Sequence, residues 1–276
     1  MLEAIQAMFS YPFLTRALVV GLLISLCAAL LGVSLVLKRY AMIGDGLSHV
    51  GFGALALAAV MNWAPLAVAV PVVIIAAFFL LRISESRRLK GDSAIALIST
   101  SSLAIGVMAV SLTSGMNTDV NNYLFGSILA MSSADVVLSV ILSVVVLVLF
   151  LLFYSRIFAV TFDESFARAT GIPTGAYNVL IAVLTAVTIV LGMRMMGALL
   201  ISALVIFPAL SAMRVCKSFK GVMILAACIS VVCFLIGLLV SYLFNTPTGA
   251  TVVIADLVVF LLCCLAGALR GVKKSA

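Results

Sequence analysis

One segment constrains this chain more than any other. From Val136 to Phe153 it reads VVLSVILSVVVLVLFLLF, with no charge, proline or glycine. A helix needs roughly 17–25 such residues to cross a bilayer. Similar runs recur along the whole length, at about 14–37, 46–62, 65–82, 93–112, 134–154, 176–193, 197–213, 221–244 and 250–269. The expected fold is therefore all-α, a polytopic bundle of about nine transmembrane helices in a single transmembrane domain over residues 1–276. Eight or ten spans stay open, because 119–131 is apolar enough to dip into the membrane.

Composition agrees. The chain is 66% hydrophobic and 9% charged, against about 45–50% and about 25% in soluble domains. Too few polar side chains exist to cover a water-facing surface. An ordinary soluble enzyme, a disordered chain and a disulfide scaffold are excluded. A transmembrane barrel would alternate over segments of roughly 10 residues, and these runs do not. Met1 to Ser10 carries no basic residue, and the run after Arg16 is too long for a cleaved signal, so it reads as the first span. The six cysteines (Cys27, Cys216, Cys228, Cys233, Cys263, Cys264) form no zinc pattern and read as small packing residues.

Charge gives orientation. The net charge is +7, but the basic residues sit in short loops rather than among aromatics on a polar face, so no nucleic acid is expected. Of the 16 basic residues, all but Arg16 and Arg194 fall on one set of loops. The positive-inside rule places that set in the cytoplasm, with the N-terminus outside and the C-terminus inside.

The few intramembrane charges then stand out. In KRYAMIGDGLSHVGFGALAL, Asp45 and His49, the only histidine, lie four residues apart on one helix face. Ionisable groups in a bilayer are costly and mark function by default. Carboxylate oxygen and imidazole nitrogen are donor types for zinc, manganese or iron. Two other readings stay open at this point: Asp45 caps the helix and bonds His49, or the two relay protons. Gly44, Gly46, Gly51 and Gly53 leave room for a hydrated ion or for close helix contact. Met193, Met195 and Met196 read as gap-fillers rather than sulfur ligands. The Asn117–Tyr123 stretch is the most polar loop on the outer side, suited to solvation or to a receptor.

A loop at about 155–175 reads as a short helix. Asp163 suits its N-cap and Glu164 its first turn, Gly171 suits the residue after its end, and Pro173 follows. Ala167 and Gly171 are small, which would let another surface approach. An ordinary amphipathic turn is the plainer alternative. No phosphate-binding loop, HExxH or GxSxG element occurs, so this chain is expected to be no enzyme.

Four stretches in order, GDGLSHVGFG (44–53), GDSAIALISTSSLAIGVMAVS (from 91), FDESFARATGIP (162–173) and GALLISALVIFPALSA (197–212), together with PTGATVVI (from 247), resemble the permease subunit of bacterial zinc/manganese/iron-uptake ABC transporters. The resemblance implies an importer in the bacterial inner membrane. It implies two ATP-hydrolysing subunits inside, a metal-binding receptor outside, and a second permease copy, most simply a homodimer. The metal is substrate, and no permanent cofactor is implied. Asp45 and His49 match the residues that hold the ion, and the 155–175 loop matches the element that contacts the ATPase. Asp256 matches no motif; lining the pathway, pairing with Arg194 and sitting hydrated near the outer face are its open roles.

Overall fold

The computed structural model describes residues 12–84, 91–113, 133–244 and 246–272. The apolar runs form helices α1 (Pro12–Leu37), α2 (Ala41–Val60), α3 (Pro65–Ser84), α4 (Gly91–Thr113) and α5 (Ser133–Leu152). Two short helices follow, α6 (Tyr154–Phe162) and α7 (Glu164–Ala169). The bundle closes with α8 (Thr174–Met196), α9 (Ala198–Val215), α10 (Phe219–Phe244) and α11 (Thr248–Val272). Among the described residues, nine of these helices are long and apolar enough to cross a membrane. Their limits follow the hydrophobic runs closely, since in hydrocarbon the backbone must satisfy its own hydrogen bonds and helices do so internally.

Burial is uneven. Helices α1, α2 and α8 form the centre, with most of their span residues buried, whereas α4, α5 and α11 are largely exposed. On α4, Leu97, Ile105, Met108 and Leu112 make an exposed apolar stripe; on α11, Leu257, Leu261, Leu265 and Leu269 do the same. Such stripes suit lipid or a partner helix rather than water. Helix α2 packs against α3, α4, α8 and α9, and α9 against α1, α10 and α11.

Contacts sort the termini into two ends. At one, Lys38 after α1 meets Glu164 and Asn178, Tyr154 meets Phe219, and a side chain at Gly267 would press on the Arg214 backbone. This is the basic end. At the opposite end Arg16 bonds Ser133 at 3.0 Å, and Arg194 pairs with Asp135 at 3.2 Å. Lys38 and Arg214 of the basic set thus lie at the end away from Arg16 and Arg194. The Asn117–Tyr123 stretch and the candidate extra span at 119–131 lie outside the described residues.

Candidate functional site

Helix α2 begins at Ala41, five residues ahead of the run that marks it in sequence, and its N-cap is Tyr40. Asp45 therefore lies inside the helix and caps nothing, which corrects the capping alternative. Met42, Asp45 and His49 share a stripe at i, i+3 and i+7. The Asp45 side chain is 42% exposed and that of His49 24%. His49 Nε2 stands 3.7 Å from Asp45 Oδ2, too far for a hydrogen bond. His49 Nδ1 is buried and has no hydrogen-bond partner among the described residues. Two ligands of one tetrahedral ion at about 2.0 Å lie about 3.3 Å apart. The pair is near that spacing, and a small change of rotamer would close it.

Ser48 is used differently. Its hydroxyl donates to the Asp45 carbonyl at 2.7 Å and meets the Ser202 hydroxyl of α9 at 3.1 Å. It is fully buried and fixes α2 against α9 rather than joining the open stripe. The glycines also resolve in favour of helix contact. A Cβ on Gly46 would meet Ile95 at 2.7 Å, on Gly51 the Met193 methyl at 2.5 Å, and on Gly53 the Ser102 carbonyl oxygen at 2.7 Å. Met193, Met195 and Met196 are buried in the core. Among the described residues no three His, Cys, Asp or Glu side chains gather as a metal site. One copy of the chain thus offers two donors.

Asp256, on α11, is 0% exposed; among the described residues its carboxylate meets no nitrogen or oxygen donor, and only the Cys233 thiol of α10, a weak donor, faces it. Arg194 is engaged with Asp135 instead, a pairing that sequence spacing does not reveal. Both the Asp256–Arg194 pair and the hydrated outer position are therefore corrected.

At the basic end α7 has the expected start and stop. Asp163 Oδ1 accepts from the Phe166 amide at 2.9 Å, and Gly171 takes φ +84°. The surface of α7 differs from expectation. Ala167 is fully buried against Val160 and Tyr177, so its small size serves packing inside the chain and not a close approach by another surface. The exposed apolar group of α7 is Phe166, 66% exposed, and Phe162 at the end of α6 is exposed as well. Neither stood out in the sequence, where a phenylalanine on a short helix reads as core. Gly171 faces open space.

Glu164 anchors α7. It accepts from Lys38 Nζ at 3.4 Å, Asn178 Nδ2 at 3.3 Å and Arg168 Nη2 at 3.2 Å. Partial burial opposes its charge, but the Asn178 amide, the Lys38 ammonium and Arg168 outweigh burial and hold its carboxyl below the usual glutamate range.

Against known proteins, the profile of the ABC 3 transport family matches residues 10–267. This chain belongs to the ABC 3 transport family. It is 31% identical over 252 residues to the high-affinity zinc uptake system membrane protein ZnuB of Haemophilus influenzae, covering 91% of this chain and 97% of that one. It is 28% identical over 259 residues to the manganese import system permease protein ScaB of Streptococcus gordonii, covering 94% and 93%. The PsaBC structure from Streptococcus pneumoniae, in complex with Fab, superposes with TM-score 0.85 at 28% identity over 95% of this chain and 94% of its own. The resemblance carried by GDGLSHVGFG and the later motifs is borne out at the level of this family.

Proposed function

We propose that this chain is the membrane permease of an ATP-driven importer of divalent metal ions, zinc first, with manganese or ferrous iron as alternatives. The observation that carries this reading is the half-exposed Asp45–His49 pair inside a spanning helix, in a family whose relatives bear zinc and manganese import names. The ion binds between carboxylate and imidazole, and water or the same pair of a second copy completes its shell. The basic end faces the cytoplasm of a bacterial inner membrane. There α7, with Asp163 as its cap, Glu164 as its anchor, and Phe166 and Gly171 at its surface, contacts one of two ATP-hydrolysing subunits. A metal-binding receptor delivers the ion from outside, and ATP hydrolysis moves it inward by alternating access. Asp256 is left out of the path, because no accessible surface reaches it.

A proton-coupled carrier would use the same two residues as a relay. Family membership favours the ATP-driven reading. The test is uptake by proteoliposomes holding permease, ATPase and receptor, across zinc, manganese and ferrous iron. Uptake that needs ATP and receptor is expected. Uptake driven by a proton gradient without ATP would overturn the proposal.

A further inference from the structure

The turn between α1 and α2 is stiff. Arg39 sits at φ +62°, the Tyr40 amide donates to the Leu35 carbonyl at 2.8 Å, and the Arg39 amide to Val36 at 3.1 Å. This is a left-handed helix stop that ties off the last α1 carbonyls. Lys38 stands in this turn. A lysine that merely complements a helix C-terminus stays in water. This one has a side chain only 7% exposed. Its ammonium bonds Asn178 of α8 and pairs with Glu164 of α7. Asn178 in turn donates to the same Glu164 oxygen, so three elements close one ring of contacts. A small space bounded by Leu35, Lys38, Tyr40, Ile43 and Asn178 adjoins the ring.

We infer that Lys38 is a positioning residue, a strut that carries displacement of α7 into the start of α2 and so to the Asp45–His49 pair. The inference rests on the transport reading above. Burying an ammonium is costly unless partners satisfy it, so the ring stays closed while α7 moves. The path from Lys38 to α2 crosses only Arg39 and Tyr40, and Asp45 lies about 6 Å along the axis from Ala41. A push on α7 therefore reaches α2 without passing through a flexible loop.

The test uses the complete transporter with ATPase and receptor in liposomes. Lys38→Met keeps the stem and removes the charge. The expected result is normal assembly and basal ATP hydrolysis, with receptor-stimulated hydrolysis and uptake reduced at least about tenfold. Lys38→Arg should restore most of both, which a purely packing role would not require. Spin labels at Ser165 and Met42 should give a narrow distance distribution in the parent and a broad one in Lys38→Met. If Lys38→Met fails to assemble, Glu164→Gln is read by the same distance measurement, and a broadened distribution is expected. Parent-like stimulation and distances in whichever variant assembles would overturn the strut while leaving transport standing. Absence of receptor-stimulated uptake in the parent itself would overturn the transport reading, and the strut with it.

Discussion

Asp45 and Asp256 are the same residue in two apolar helices, and their surroundings are opposite. Asp45 is 42% exposed on a stripe with His49, and its carboxylate makes no close bond to that neighbour. Asp256 is sealed among α9, α10 and α11, with only the weakly donating Cys233 thiol beside its carboxylate among the described residues. A group that exchanges an ion must be reachable and lightly engaged. A group that is sealed and poorly satisfied weakens packing and offers nothing to a passing ion. The difference teaches that intramembrane charge alone does not mark a site; access decides.

The sharpest way to break the comparison is mutation at its two poles. Asp45→Ala or His49→Ala should reduce metal uptake to background while leaving assembly with the ATPase intact, measured by radiometal accumulation and co-purification. Asp256→Asn should keep uptake near the parent level. Loss of uptake in a well-assembled Asp256→Asn transporter would move Asp256 into the ion path and dissolve the contrast.

A second pair of experiments contrasts reach with anchoring at the basic end. Gly171→Trp should uncouple ATP hydrolysis from uptake, because its φ of +84° disfavours any side chain and its outer face is open. An ATPase response to loaded receptor that stays normal would count against α7 as the contact. Smaller in size, Asp256→Val should raise thermal stability by about 1–3 kcal/mol, the usual cost of a poorly satisfied buried polar group; a lower melting temperature would show that the Cys233 contact outweighs that cost.

The smallest effect concerns a third acid, Glu164, which is neither open nor poorly satisfied. Its carboxyl titrates below the usual glutamate value, about 4.3. Its stabilising contribution is thus complete above that value and is lost as pH falls through the depressed folded-state value. Hydrogen exchange of the α7 amides should rise only in that acid window, and Glu164→Gln should remove the pH dependence. A rise centred near pH 7 would contradict the assignment.

Much of this molecule was readable from its residues. The spans followed from unbroken apolar runs, because hydrocarbon leaves the backbone few choices. Asp163 and Gly171 announced the ends of α7, since caps are local chemistry. What stayed hidden depends on distant partners. Arg194 lies 59 residues from Asp135, and Lys38 lies 126 from Glu164. Ala167 misled because smallness in sequence does not say which way a side chain points. The start of α2 was misplaced because Lys38 and Arg39 in the turn and Asp45 just inside the helix depress local hydropathy, although the helix already begins at Ala41. Asp45 and His49 were legible as a pair, but their openness on the stripe was not.

One consequence concerns the seam between α2 and α4. A Cβ on Gly106 would come within 2.9 Å of the Gly53 Cα, and one on Gly53 within 2.7 Å of the Ser102 carbonyl oxygen. The two backbones come this close because glycine stands on both sides, with the Phe52 ring of α2 filling the space beside Gly106. A side chain at either glycine would collide with the facing helix, so the seam depends on both staying glycine. A seam this close favours α2 and α4 moving together as a single bar, with any hinge of the bundle placed at a looser joint.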